Sequence, residues 1–142
     1  MLSAVAGLPK ILLVEDTLPI IDIYGQILTK HGYPLKIVGT VDAMLDILPS
    51  YKPDLIFLDI MLPGGRTGLD ALKILRNDPK YGATKTRIVM LTNLGQSDEI
   101  QKIWGKYADG YVIKAEIDPH ELIDIADSFK FGEDDSKDNK KD

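Results

Sequence analysis

Short runs of apolar residues alternate with longer segments of helical periodicity through the middle of this chain. Five apolar runs predict β-strands, at about residues 10–15, 35–38, 54–59, 87–91 and 111–113. Such runs, bounded by turn residues, are typical of parallel strands that are covered on both faces. The second run is the most polar in its surroundings and is expected at a sheet edge. The alternation occurs five times, which predicts an α/β fold with five strands and five helices.

The first two helices are predicted from apolar residues spaced three and four apart. The first follows Thr17, has Pro19 in its first turn and ends near Gly32. Proline is tolerated in a first turn and glycine is a common residue just after a helix. The second starts near Thr40 and is expected to stop at Pro49, because proline cannot donate the helical hydrogen bond.

The last three helices follow the third, fourth and fifth strands. The third helix follows a Pro-Gly-Gly loop at residues 63–65, and the fourth begins near residues 97–99, with acidic residues in its first turn. The fifth opens at residues 118–121, whose sequence predicts a capping box with Pro119 at the first helical position.

Length and composition restrict what kind of protein this is. With 142 residues the chain fits one domain, and its net charge of −5 disfavours nucleic-acid binding, which needs a basic face. The absence of cysteine excludes disulfide and thiolate chemistry and is natural for a cytoplasmic protein. No apolar run approaches the roughly 20 residues of a membrane span, and the first residues do not fit a signal peptide. We therefore predict a cytoplasmic protein without nucleic-acid or membrane partners.

The ends of the chain differ from its middle. Residues 1–9 are predicted to be an N-terminal extension and residues 10–131 a single domain. From residue 132 to 142 the chain has no apolar residue and many charges of both signs. Such a segment cannot bury enough surface to order itself, so residues 132–142 are predicted to be a disordered, charged tail.

Polar side chains follow four of the predicted strands at the point where each strand ends. They are Glu15 and Asp16, Asp59, Thr92 and Lys114. In a parallel sheet these ends meet at one edge, where ligands bind. Carboxylates held together repel by about 4 kcal/mol per pair at 4 Å, and Mg²⁺, which prefers oxygen ligands, removes that cost. Asp59 could serve as a nucleophile toward phosphorus, with Thr92 and Lys114 binding phosphoryl oxygens.

Each of these residues, taken alone, is also compatible with a purely structural role. An acid such as Asp16 is commonly a helix cap, and a single threonine or lysine after a strand is commonly a solvated turn residue. The joint occurrence of all four strand ends at the same edge favours a phosphoryl site. His31 and His120 are not expected to bind metal, because neither has a partner at ligand spacing.

Four motifs resemble those of the response-regulator receiver domain, the phosphoacceptor module of two-component signalling. They lie at residues 11–16 (ILLVED), 52–64 (KPDLIFLDIMLPG), 88–92 (IVMLT) and 108–114 (ADGYVIK). The resemblance covers about residues 10–131. It implies a flavodoxin-like, doubly wound sheet of five parallel strands in the order 2-1-3-4-5.

The resemblance also implies a phosphorylation site and a metal site. Asp59 would receive a phosphoryl group from a histidine kinase or a histidine phosphotransfer protein. Glu15, Asp16, Asp59 and the backbone carbonyl of Met61 would hold Mg²⁺.

The remaining implications concern the response to phosphorylation. Thr92 and Lys114 would bind the phosphoryl oxygens, and Tyr111 would be the aromatic switch residue that turns inward when Thr92 moves. A downstream partner would bind the face formed by the fourth helix, the fifth strand and the fifth helix. The domain would be a monomer or a weak dimer, and no enzyme acting on an external substrate.

Among several departures from the usual receiver pattern, two lie in loops beside the predicted site. Ala115 follows Lys114 where the family most often has a cis proline. A non-proline cis bond costs roughly 2.5–4 kcal/mol, so a trans bond and a differently placed loop are expected here. The loop after Pro63 is one residue longer than usual, which could alter kinase recognition or access of metal.

Three other functions are alternatives to a phosphorylated receiver, and two of them lack residues that they would need. A pseudo-receiver, which would bind partners without being phosphorylated, is the main alternative. A haloacid-dehalogenase-like phosphatase would need a second acid at Met61, and methionine cannot transfer a proton. Flavin binding would need a phosphate-cradling loop after the first strand, where residues 16–19 are acidic and contain proline.

Overall fold

A computed structural model describes residues 8–93, 102 and 105–129 of the protein. The first half contains β1 (Ile11–Val14), α1 (Leu18–Lys30), β2 (Leu35–Val38), α2 (Val41–Tyr51) and β3 (Leu55–Asp59). The second half contains α3 (Gly68–Asn77), a 3₁₀ turn (Pro79–Tyr81), β4 (Arg87–Thr92), helical residues 105–107, β5 (Gly110–Ile113) and the C-terminal helix (Glu121–Ser128). The predicted start of the fourth helix, residues 1–7 and the predicted tail lie outside the described residues.

The five strands form one sheet in the order β2-β1-β3-β4-β5, and every neighbouring pair is parallel. The predicted five-stranded, flavodoxin-like α/β fold is confirmed, and β2 lies at an edge as expected. The register places Val14 beside Leu58 and Asp59 beside Leu91. The residues that follow β1 and the last residues of β3 and β4 therefore come together at one edge of the sheet.

Two apolar layers hold the sheet between helices. All side chains of β1 and β3 are buried, because these strands lie inside the sheet with helices on both faces. One layer packs α2 and α3 against Leu12, Ile56 and Met90; the other packs α1 and the C-terminal helix against Leu13 and Phe57. Alternate residues of each strand thus enter opposite layers.

The prediction that α2 stops at Pro49 is wrong, since the helix continues to Tyr51. Proline removes one hydrogen bond, and in the last turn of a helix this loss is outweighed by tertiary packing and hydrogen bonding. The Tyr51 hydroxyl donates to the carbonyl of Ile11 at 3.0 Å. The helix ends at Lys52, which adopts a left-handed conformation (φ 52°) while its N–H donates to the carbonyl of Leu48 at 3.0 Å.

The start of the C-terminal helix also differs from the prediction. The helix begins at Glu121, so Pro119 lies in the preceding turn. Half of the expected capping box is present: the Glu121 carboxylate accepts a hydrogen bond from the N–H of Asp118 at 3.0 Å. The Asp118 carboxylate instead accepts from the N–H of His120, two residues away. Backbone bonds between residues three apart tighten this turn, which delays the regular helix.

No helix in the described part of the chain is both long and apolar enough to cross a membrane.

Candidate functional site

The polar residues at the strand ends form a pocket at the carboxyl edge of the sheet. Glu15, Asp59 and Thr92 are buried at 0, 2 and 2 % exposure. Tyrosines aside, they are the buried polar residues of the described part of the chain. Burying two carboxylates is costly unless they are paired or bind a cation. Their burial together therefore marks a site with a purpose beyond packing.

Lys114 supplies the cation that lies nearest to these carboxylates. Its Nζ lies 3.2 Å from Glu15 Oε1 and 3.2 Å from Asp59 Oδ2. The lysine side chain is itself only 10 % exposed. The structure therefore brings together three of the predicted site residues in a partly buried ion-pair network.

The loop after β5 reaches the pocket with a trans peptide bond at Ala115. No cis peptide bond occurs among the described residues, as expected for an alanine at this position. The N–H of Lys114 donates to the carbonyl of Thr92 at 2.8 Å, which extends the pairing of β4 with β5 by one residue. This bond fixes the start of the lysine side chain, and Nζ reaches both carboxylates without a cis proline.

Three acids are placed so that they could share one metal ion. Carboxylate oxygens of Glu15, Asp16 and Asp59 all lie within 4.8 Å of one another. Asp16 is exposed and the other two are buried, so the group opens to solvent on one side. Oxygen ligands with an open side suit Mg²⁺, which keeps several waters and accepts phosphate oxygens. The donor set thus fits the ion that the sequence resemblance implies.

Hydrogen bonds orient the two buried carboxylates. Glu15 Oε2 accepts from the N–H of Thr17 at 3.2 Å, just before α1. Asp59 Oδ1 accepts from the N–H of Met61 at 3.1 Å. Met61 is 59 % exposed, so this residue lies at the rim of the pocket.

The two residues predicted to respond to phosphorylation lie at the end of β4 and on β5. The Thr92 hydroxyl donates to the carbonyl of Asn93 at 3.1 Å. Tyr111 lies on β5 with its side chain 47 % exposed.

The loop between β3 and α3 is shaped by three glycines. Gly64 and Gly65 have φ values of 98° and 94°, which other residues rarely adopt. Arg66 in this longer loop forms an ion pair with Asp42 of α2. Gly68 starts α3 directly against the backbone of β3, where an added Cβ would lie 2.1 Å from the carbonyl oxygen of Asp59. The close approach at Gly68 could not be read from the sequence, because glycine is common in polar loops wherever the chain turns.

Burial raises the pKa of Asp59 to about 6, and the charge of Glu15 contributes to the rise. Lys114 and the N–H of Met61 oppose it. The folded protein therefore holds this proton more tightly than the unfolded chain, whose aspartate has the ordinary value of 3.8. Ionisation of Asp59 consequently lowers the free energy of unfolding. This loss is absent below pH 3.8 and complete above pH 6.

This linkage predicts how pH and Mg²⁺ change stability. Without metal, the free energy of unfolding should lose about 3 kcal/mol from this group between pH 3.8 and pH 7. Saturating Mg²⁺ should raise the melting temperature more at pH 7 than at pH 5, since binding requires the ionised carboxylate. Calorimetric melting at both pH values checks this. Asp22→Asn removes an exposed carboxylate of α1 and is the control, which should show the same dependence on pH and Mg²⁺ as the unmodified protein. Equal stabilisation by Mg²⁺ at both pH values would contradict the assignment.

A parallel sheet of this order, with an acidic pocket and a lysine at its carboxyl edge, is the arrangement that the resemblance to receiver domains implies. The family model for the response regulator receiver domain matches residues 11–127. The chain therefore belongs to the response regulator receiver domain family. Domains of this family act in two-component signalling with histidine kinases or phosphotransfer proteins.

Solved structures agree with this assignment. A CheY-like response regulator receiver domain protein from Methanospirillum hungatei JF-1 is 27 % identical, with a TM-score of 0.72 over 85 % of this chain and 92 % of that one. The signal receiver domain of a LuxO repressor protein from Vibrio parahaemolyticus is also 27 % identical, with a TM-score of 0.68 over 81 % and 84 %. The chemotaxis protein CheY4 of Vibrio cholerae shares the fold at 24 % identity, with a TM-score of 0.73 over 85 % and 98 %.

Proposed function

We propose that Asp59 is phosphorylated by a histidine kinase or a histidine phosphotransfer protein in a Mg²⁺-dependent reaction, and that phosphorylation changes partner binding. The observation that carries this proposal is the position of Asp59: a buried carboxylate with one oxygen facing Lys114 and two further acids within 4.8 Å. A merely structural aspartate needs neither the neighbouring acids nor the raised pKa.

The transfer exchanges one phosphorus bond for another. An oxygen of the ionised Asp59 attacks the phosphorus of a phosphohistidine, and a P–O bond forms as the P–N bond breaks. The histidine nitrogen keeps the electron pair of that bond and is then protonated. Above pH 6 Asp59 is ionised, so no general base is required.

Four groups would hold the metal. They are the carboxylates of Glu15, Asp16 and Asp59 and the backbone carbonyl of Met61. When bound, Mg²⁺ offsets the charge of the carboxylates and of the phosphoryl oxygens. Lys114 can contribute a second positive charge to those oxygens after leaving the carboxylates that it contacts in this structure.

The response to phosphorylation is a shift between two states. The Thr92 hydroxyl would exchange the carbonyl of Asn93 for a phosphoryl oxygen, and Tyr111 would turn inward. Phosphorylation can shift this equilibrium only by binding one state more favourably, which Thr92 and Lys114 allow. The partner face would include β5 and the C-terminal helix, together with the fourth helix, whose start lies outside the described residues.

This chemistry requires a phosphoryl donor but no further substrate on which the protein acts. Met61 lies two residues after Asp59, where a phosphatase of the haloacid-dehalogenase type would need an acid. We therefore propose a phosphoacceptor rather than an enzyme acting on other molecules.

Mixing the protein with acetyl phosphate, with and without Mg²⁺, tests the proposal by intact mass. A gain of one phosphoryl group with Mg²⁺ supports it, and no gain despite bound Mg²⁺ would favour a pseudo-receiver.

Replacing Lys114 by alanine should separate metal binding from the response. The change removes a cation that lies between Glu15 and Asp59, so Mg²⁺ affinity should be retained or increased. The phosphorylated variant should lack the change at β5, because no charge draws the loop toward the phosphoryl group. Calorimetric Mg²⁺ titration and amide chemical shifts of Gly110–Ile113 measure the two effects.

Lys36→Ala, on the exposed face of the edge strand β2, is the matched control and should respond as the unmodified protein does. If Lys114→Ala also gives the full shift of the β5 amides on phosphorylation, Lys114 does not transmit the signal.

A further inference from the structure

The hydroxyl of Tyr24 is the one buried side-chain polar atom in the described residues without a hydrogen-bond partner. The residue is 2 % exposed and lies on α1. Two other tyrosines with little exposure are satisfied: Tyr33 donates to Asp127, and Tyr51 donates to the carbonyl of Ile11. An unpaired buried hydroxyl lowers the stability of the folded state, so its retention in the core needs a reason.

The position of Tyr24 directs its hydroxyl toward the acidic pocket. Side chains on a helix tilt toward the helix N-terminus, and α1 begins at the carboxyl edge of the sheet. Tyr24 packs in the same apolar layer as Leu13 and Phe57. Because strand residues two apart share a face, Glu15 and Asp59 project into that layer as well.

Electrostatic coupling agrees with this placement. Burial raises the pKa of Tyr24, and the charges of Glu15 and then Asp59 raise it further. Both carboxylates therefore act on the phenol through the low-dielectric core. With its pKa raised above 10, the phenol keeps its proton at neutral pH and remains a hydrogen-bond donor.

We propose that Tyr24 is a positioning residue, whose hydroxyl donates a hydrogen bond to Glu15 once Lys114 withdraws from that carboxylate. In this structure Lys114 Nζ contacts both oxygens of Glu15, at 3.2 and 3.5 Å. Binding of Mg²⁺ by Glu15 would displace Lys114 from that carboxylate and leave Glu15 buried with one donor fewer. Tyr24 would supply the missing donor. This inference rests on the proposed function.

The bond would form only in the metal-bound state, which makes its effect measurable. Tyr24→Phe removes the unpaired hydroxyl and keeps the ring, so the metal-free protein should melt at the same or a higher temperature. Loss of a hydrogen bond that orients a metal ligand typically weakens affinity roughly 10- to 100-fold. We expect the Mg²⁺ dissociation constant of Tyr24→Phe to rise about tenfold.

Tyr51→Phe is the matched control, because its hydroxyl is satisfied by the carbonyl of Ile11 at the other end of β1. It should lower the melting temperature and leave Mg²⁺ affinity unchanged, the reverse of Tyr24→Phe. Calorimetric titration with Mg²⁺ alone and thermal melting without metal give both readouts. The opposite pattern in the two variants distinguishes positioning of Glu15 from a general effect on the core.

Two results would overturn the proposal, and they differ. If the unmodified protein binds Mg²⁺ and Tyr24→Phe binds it equally well, Tyr24 does not position Glu15 and the proposed function stands. If the unmodified protein binds no Mg²⁺ at all, the proposed function fails and the role of Tyr24 fails with it.

Discussion

Replacing Asp59 by asparagine should abolish phosphorylation while raising the stability of the metal-free protein. The amide is nearly the same size as the carboxylate but has no nucleophilic oxygen anion. It also removes one of the two buried negative charges that Lys114 contacts. At pH 7 the free energy of unfolding should rise by an amount on the order of 2–3 kcal/mol. Intact mass after treatment with acetyl phosphate and denaturant unfolding measure the two effects.

Asp54→Asn is the control for this change, since Asp54 precedes the same strand at its other end. Its carboxylate accepts a hydrogen bond from the N–H of Lys10 at 2.8 Å, far from the pocket. This variant should still gain a phosphoryl group, and it should be less stable rather than more. A gain of mass by Asp59→Asn equal to that of the unmodified protein would show that another residue is the acceptor.

Gly68→Ala should have the largest effect on stability. The added Cβ would lie 2.1 Å from the carbonyl oxygen of Asp59 and 2.8 Å from the Cα of Ile60, and neither backbone atom can move without shifting β3. Overpacking of a core typically costs roughly 1–3 kcal/mol, and contact with backbone places this substitution at about 3 kcal/mol. The movement of β3 should also displace Asp59 and slow phosphorylation. Denaturant unfolding and the rate of mass gain with acetyl phosphate test both expectations.

Gly110→Ala in β5 provides the comparison, because a Cβ there would meet no atom within 4 Å. It should change the free energy of unfolding by less than about 0.5 kcal/mol, as expected for a substitution without steric conflict. Equal stability of the two alanine variants would mean that α3 does not approach β3 as closely as the structure indicates.

The strand ends explain why so much of this protein could be predicted from its sequence. Buried parallel strands require continuous apolar runs, and the polar residue after each run is therefore conspicuous. Glu15, Asp59, Thr92 and Lys114 followed from that pattern, and the sheet order came from the resemblance to receiver domains. The order and the fold are confirmed, whereas the roles of these residues in phosphorylation remain predictions.

Features that depend on tertiary contacts could not be predicted in the same way. The hydrogen bond from Tyr51 to the carbonyl of Ile11 joins residues 40 positions apart, and it is such contacts that keep α2 helical past Pro49. Gly68 resembles any loop glycine until α3 is placed against β3. Tyr24 falls within the apolar face of α1, so the sequence indicates a packing residue and no role for its hydroxyl. Only the packed structure shows that this hydroxyl is buried without a hydrogen-bond partner.

The most direct test of phosphorylation at Asp59 is to locate the phosphoryl group. The protein would be treated with acetyl phosphate and Mg²⁺, reduced with borohydride to convert an acyl phosphate into a stable alcohol, and digested for peptide mass spectrometry. We expect reduction at Asp59 alone, dependent on both acetyl phosphate and Mg²⁺. Reduction at another carboxylate, or none at any position in protein that binds Mg²⁺, would contradict the account.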